Sequence, residues 1–362
     1  MKFLPNFAIL ISVTVALLEL TEARAQIVTY TDLHPVGASA SWAYAISGSQ
    51  QAGDVYLNGP DHAAIWSGSA ASFVDLHPSG SVASHVRATT GSQQVGIVQF
   101  GVGGNILHAG MWSGTAASFV DLHPAGAGYS WAVAASGGQQ GGYAQIGGTE
   151  HAAIWSGTSA SFVDLHPFGT SSRVRATTGT QQAGDVAIGD PHAGIWSGTA
   201  ASFIDLHPAG AFSSSAYATT GSQQAGYAIF SDGKRAAIWS GTSASFVDLH
   251  PTGATESYAL SAMGGLQAGT VTFADGKHAG IWSGTAASFL DLDVSLGAGF
   301  ANSYAEGIWT DGLMTKVAGY AYDIDGGGHA ILWTITPVPE PSSLAFFGAF
   351  ATVAVCYHHR KC

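Results

Sequence analysis

Residues 151–167 read HAAIWSGTSASFVDLHP, and lightly altered copies of this phrase fill the chain. Its Asp-Leu pair recurs at Asp32, Asp75, Asp121, Asp164, Asp205, Asp248 and Asp291, in steps of 41–46 residues. The first six copies continue as Asp-Leu-His-Pro; the seventh, Asp291-Leu292-Asp293, has lost the histidine. A Trp follows each copy before the next begins: Trp66, Trp112, Trp155, Trp196, Trp239, Trp282 and Trp333. Seven units of about 44 residues therefore occupy 26–336 with no linker between them.

A period near 44 residues matches one four-stranded blade of a β-propeller; the rival, a β-helix, has shorter coils. In the first unit the strands fall at roughly 41–47, 51–57, 62–67 and 71–76. The breaks between them, SGSQ, NGPD, SGSA and HPSG, are turn chemistry: Gly tolerates positive φ, and Pro ends a strand because it has no N–H for the ladder. Helix is poorly supported anywhere inside 26–336. The chain opens with a lone fourth strand, IVTYTDLHP, and closes with three, near 302–308, 315–322 and 329–334. Adding 27–33 to those three completes a seventh blade and removes the open edge. The expected fold is all-β, a seven-bladed β-propeller closed by its N-terminal strand.

Composition agrees. Charged residues are only 9% of the chain and 49 residues are Gly, a balance suited to closely stacked sheets. The two ends read differently from the repeats. Lys2, the twelve-residue apolar run 7–18 and Ala23-Arg24-Ala25 have the order of a secretory signal, with cleavage between Ala25 and Gln26. At the other end Val338-Pro339-Glu340-Pro341 precedes the apolar run 344–357 and the closing His358, His359, Arg360 and Lys361. That run is a short membrane segment whose basic end would stay on the cytoplasmic side. Both cysteines, Cys356 and Cys362, lie in this tail, so the repeat domain has no disulfide. The expected division is a signal peptide over 1–25, the propeller over 26–336 and a sorting segment over 337–362.

The tail resembles the PEP-CTERM sorting signal of bacteria that make exopolysaccharide, although its final basic cluster is modest. The resemblance implies handling by an exosortase after signal peptidase, with transient membrane anchoring. It implies delivery to the cell surface or matrix of a bacterium with an outer membrane. The repeats resemble the HAF family of extracellular repeats. The carrying residues are His62-Ala63-Ala64-Ile65-Trp66, His108-Ala109-Gly110-Met111-Trp112, His151-Ala152-Ala153-Ile154-Trp155 and His329-Ala330-Ile331-Leu332-Trp333. The third position is Ala, Gly or Ile here, where the family has Phe. This resemblance implies a surface-located, propeller-like fold and no particular reaction.

Between 26 and 341 there are seven Lys or Arg against twenty-one Asp or Glu, a net charge of about −14. A phosphate backbone would be repelled, which argues against nucleic acid as a partner. Of the thirteen His in this span only His85 falls outside the repeated phrases. Asp164 and His166, two apart on a strand, share a face. Such pairs, spread over the outermost strands of a ring, stand too far apart to converge on one ion, so no metal is expected. A structural network fits better: His joined to a nearby Asp and a Ser hydroxyl, with Trp packed between blades. Blade five tests it, because Lys234-Arg235-Ala236 stands where other blades have His-Ala, so that blade makes do with Arg235 or lacks the bond. DIDGGGH, 323–329, has the look of a calcium loop, but it aligns with the tight turns FSDGKR and FADGKH.

A repeated residue supports the fold, and a site needs something unrepeated. The first strand of each blade varies most and lines the channel. Arg87, Arg173 and Arg175, three of the seven cations, fall there, with Tyr44 and Tyr217 and with Tyr129 and Tyr258 close by. Arg87, Arg173, Arg175, Tyr44 and Tyr217 are the expected ligand-binding residues, suited to an acidic sugar or carboxylate. Catalysis is poorly supported. Glu150, Glu256 and Glu306 lie in different blades, there is no Gly-x-Ser-x-Gly elbow and no thiol in the domain, and no cofactor is implied. The expected role is a non-enzymatic binding or structural module of the exopolysaccharide matrix. Its partner would be exopolysaccharide or another surface protein. The alternative is a polysaccharide lyase or hydrolase working through Arg87, Arg175 and a channel tyrosine.

Overall fold

The computed structural model describes residues 26–57, 59–101 and 106–338. The expected signal peptide up to Ala25, the sorting motif from Pro339 onward and the apolar run 344–357 lie outside the described residues. The chain divides into two units, Val28–Thr336 and the two ends, Met1–Ile27 with Pro337–Cys362. Among the described residues no helix is long and apolar enough to cross a membrane.

Seven four-stranded sheets follow one another along the chain. Blade one is Ala40–Ser47, Gln50–Tyr56, Asp61–Trp66 and Val74–Asp75, and blades two to six repeat this order. Blade seven is Phe300–Thr310, Thr315–Asp323 and Gly328–Pro337 with Gln26–Asp32 as its outer strand, so the two ends of the repeat array share one sheet. The inner strands touch in sequence, and that of blade one also touches that of blade seven, which closes the ring. This is the seven-bladed β-propeller the repeat period predicts.

The outer strands are shorter than expected. In place of a strand over 71–76 there is a 3-10 turn, Ala70–Ser72, and then only Val74–Asp75. The Ser72 hydroxyl explains it: it accepts from Ser67 N at 2.7 Å and donates to Ser69 O at 2.6 Å. That hydroxyl holds backbone groups in a turn that a longer ladder would otherwise use. The same Ser closes the turn in blades two to six. A two-residue rim strand leaves little edge for another sheet to join.

Between blades the packing is set by the seven Trp, all fully buried. Trp66 sits with Ala43, Val55 and Ala64 of its own blade and Ala318, Ala330 and Leu332 of blade seven. Among the described residues none of the seven indole N–H groups has a hydrogen-bond partner. Burying an indole removes roughly 200 Å² from water, about 5 kcal/mol, while an unpaired buried donor costs about 1–3 kcal/mol. The apolar gain therefore outweighs the orphaned donor.

The His, Asp and Ser of the repeat form a latch between blades, with the partners divided between two histidines. His62 Nδ1 meets Asp75 Oδ2 at 2.8 Å, and Asp75 Oδ1 accepts from His77 N at 2.8 Å. The His77 ring meets Ser84 Oγ of the next blade at 2.9 Å, and that hydroxyl accepts from Ala63 N at 2.9 Å. In blade five, of the two outcomes left open, the structure shows the first: Arg235 takes the histidine's place and bonds Asp248 at 2.6 Å. In blade six Asp293 replaces the motif's His and accepts from Ser303 Oγ at 2.6 Å. Among the described residues no cluster of three His, Cys, Asp or Glu is arranged to hold a metal.

Candidate functional site

Each inner strand carries an extra residue at one shared position, and that residue faces the channel; blade seven has a second, at Ala301. In blade five Ala216 pairs with Gly226 and Ala218 with Ala225, so Tyr217 has no partner across the ladder. This is a β-bulge, which bends a strand and re-aims a side chain. It recurs in all seven blades, at Tyr44, Arg87, Val133, Arg175, Tyr217, Leu260 and Glu306. These seven side chains ring a channel cavity of about 420 Å³, within the usual range for a ligand site.

The bulge depends on a glycine in the second strand. A Cβ on Gly226 would lie 2.0 Å from Ser215 O, and one on Gly142 would lie 1.9 Å from Trp131 O. Gly53, Gly96, Gly184, Gly269 and Gly319 meet the matching carbonyl as closely. The obstructing atom is backbone, so the strands must part to admit a side chain. Gly226→Ala is expected to cost about 2–3 kcal/mol and to move Tyr217 off the channel wall. An unchanged urea midpoint would show that the close approach is not required.

Four of the five expected site residues, Tyr44, Arg87, Arg175 and Tyr217, line the cavity, and Arg173 does not. Arg173 bonds Glu150 Oε2 at 2.6 Å, and Tyr129 donates to Glu150 Oε1 at 2.7 Å. The two channel arginines are not bare charges. Arg87 reaches Asp54 Oδ2 at 3.3 Å and lies 4.2 Å from the centre of the Tyr44 ring. Arg175 reaches Asp185 Oδ2 at 2.5 Å and lies 4.5 Å from the Tyr217 ring. Asp54 also holds His85 at 2.8 Å, and Asp185 also accepts from Ser215 Oγ at 3.0 Å. Burial works against both guanidinium charges, but Asp54 and Tyr44 in one case, and Asp185 and Tyr217 in the other, hold them charged. Burial and the charge of Asp54 push the Tyr44 hydroxyl well above its ordinary range.

Glu306 is the residue that sequence reasoning passed over as a ligand group. It is half-buried by exposed area, yet its carboxyl lies at the channel bulge with protein around it. Among the described residues it makes no hydrogen bond and no ion pair. Burial pushes it up to about 7, opposed only by the attraction of Arg87. The signal that would have found it is the strand-two glycine. In six blades the bulge residue lies nine positions before that glycine, as Tyr44 does before Gly53. In blade seven a longer stretch separates Glu306 from Gly319.

No protein-family model matches the chain, and no curated protein matches it. Solved structures do. The β-propeller domain of the Trilobed protease from Pyrococcus furiosus, described as having an open velcro topology, is 10% identical with a TM-score of 0.54. That match covers 82% of this chain and 94% of the other. An acylaminoacyl peptidase, solved with Z-Gly-Gly-Phe-chloromethyl ketone, is 9% identical with a TM-score of 0.51, covering 85% of this chain and 54% of that one. At such identity the likeness concerns the fold alone: this chain is a β-propeller.

Proposed function

We propose that the protein is an exported, surface-sorted, non-enzymatic β-propeller that holds a polysaccharide of the extracellular matrix in its channel. The observation that carries this reading is the bulge ring. It places tyrosines and aspartate-paired arginines around a cavity of about 420 Å³. Aromatic faces and paired polar groups suit a hydroxyl-rich, sugar-sized ligand. Export rests on the signal-like start and on the PEP-CTERM-like tail, which would bring in signal peptidase, an exosortase and a transient anchor.

The rival reading, a lyase or hydrolase, gains one specific support in Glu306. A carboxyl titrating near 7 beside Arg87 and Tyr44 is suited to acid–base work. Against it, the carboxylates paired with the channel arginines are already held, Asp54 by His85, Arg87 and Val86 N, and Asp185 by Arg175 and Ser215. Hydrolysis needs a second carboxylate free to act.

Retention of the purified chain on a panel of immobilised polysaccharides separates the readings. Saturable binding without new reducing or unsaturated ends is expected. Tyr217→Ala is expected to weaken it about tenfold, the loss of one ring contact. Turnover of any member of the panel would favour the enzyme, and absence of binding to every member would remove the binding role.

A further inference from the structure

The charge around the channel is uneven. Of the three bulge residues that carry a guanidinium or carboxyl group, Arg87 and Arg175 each have a buried aspartate partner, and Glu306 has none among the described residues. The groups that face Glu306 come from four blades. Arg87 attracts it from blade two, with Asp54 already paired to that arginine. Tyr44 of blade one, Tyr258 of blade six and Tyr320 of its own blade all feel its charge. The Tyr44 and Tyr320 rings lie 6.2 Å apart, edge to face. The channel wall therefore holds one carboxyl, Glu306, with no bonded partner of its own among the described residues, in a cavity that the Tyr44 ring also lines.

Tyrosine faces near this channel already accept cations. Arg87 lies over Tyr44, Arg175 over Tyr217, Arg173 over Tyr143, Lys234 over Tyr227 and Lys277 over Tyr304, all within 5.4 Å of the ring centre. A carboxylate flanked by aromatic rings is the chemistry that recognises an ammonium group. An acidic sugar would meet Glu306 and find both arginines already engaged.

We propose that the channel takes an amino sugar with a free ammonium group, with Glu306 as its anionic anchor and Tyr44 as the tyrosine that lines the same cavity. This rests on the binding role above and names the ligand class. It revises the acidic sugar expected from Arg87 and Arg175 alone.

The test uses the full chain and three oligosaccharides of equal length: β-1,4-linked glucosamine, its N-acetylated counterpart and a uronate oligomer. Titration calorimetry at pH 7 is expected to show the free amine bound about tenfold more tightly than either of the others. Glu306→Gln keeps the shape of the side chain and removes its charge. It is expected to bring the amine and the N-acetyl oligomer within about threefold of each other, with no fall in melting temperature, since no ion pair is broken. Equal or tighter binding of the N-acetyl or uronate oligomer would overturn the ammonium assignment and leave the binding role standing. A preference retained by a folded Glu306→Gln chain would overturn the anchor. If none of the three binds, and the polysaccharide panel is also not retained, the binding role falls with it.

Discussion

A chain that begins at Gly37 is expected to lose the single cooperative melt of the ring and to aggregate at temperatures where the full chain stays folded. Such a chain lacks Gln26–Asp32, the outer strand of blade seven. Gly328–Pro337 would then become an edge. Ala330 O loses its 2.8 Å bond from Leu33 N, and His329 loses Asp32, which it meets at 2.8 Å. Leu33, fully buried, leaves the cluster that holds Trp66, Ala330 and Leu332. Emptying the Leu33 site alone costs about 2–5 kcal/mol, against a total stability of about 5–15 kcal/mol for a typical domain. The bared strand is long and apolar, a ready template for pairing with another copy. Thermal melting with light scattering checks both effects. Leu33→Ala separates them: it keeps the strand and should lower stability by about 2–5 kcal/mol without aggregation. A truncated chain that melted as the full chain does would show that the closing strand is dispensable.

The closure was legible because it is a counting matter. One strand stands before the first repeat and three follow the last, and only a ring uses all four. The His, Asp and Trp were legible as structural for a related reason, since seven copies spread around a ring cannot serve one site. The bulges were harder to see. Tyr217 looks like an ordinary strand residue between Ala216 and Ala218, and nothing in the alternation of apolar and polar residues says that it is unpaired. The information sits in Gly226, whose lack of a side chain lets a carbonyl approach to where a Cβ would be. A glycine in a strand reads first as a weak point and only with a partner strand as a close approach. The pairing of the channel arginines was hidden for a similar reason. Arg87 and Arg175 were visible as rare cations, but Asp185 lies on the next strand of the same blade and Asp54 in the preceding blade, so strand pairing in one case and blade packing in the other bring them together. The outer strand came out too long because Ser72 and its copies read as strand-compatible, whereas their hydroxyls close a turn.

Lowering the pH from 7 to 5 is expected to destabilise the ring through five of its seven blades at once. The imidazoles of the latch stack in pairs: His34 on His329 at 4.4 Å, His62 on His77 at 4.0 Å, His108 on His123 at 3.9 Å, His151 on His166 at 4.3 Å and His192 on His207 at 3.8 Å. In each pair the Asp-Leu-His member titrates below the ordinary value of histidine. Burial disfavours its charge, and the stacked partner adds repulsion. A folded value below the unfolded one means that the unfolded chain binds more protons. The stabilisation is then complete above the unfolded value of 6.5 and is lost as pH falls through the lowered folded value. Blade six carries the opposite arrangement. Burial works against His278, but Asp291, Asp293 and Asp275 together raise it, so that blade gains stability over the same range. Glu306 also opposes the trend: burial raises it to about 7, so folding favours its protonated form as pH falls. The measurement is therefore made in a Glu306→Gln chain, where five histidines act against one. Its melting temperature should fall by several degrees between pH 7 and pH 5, a window in which ordinary carboxylates stay ionised. Adding His123→Asp copies the exchange that blade six makes at Asp293. It should place a carboxylate beside His108 and reduce the fall by about a fifth or more, because one of five opposing pairs becomes a supporting one. A flat profile from pH 7 to pH 5, or an identical slope with and without His123→Asp, would mean that the stacked pairs do not govern the acid response. The five repeats matter here as a set: each pair alone is a modest, partly solvated interaction, and the closed ring makes them fail over the same narrow range of pH.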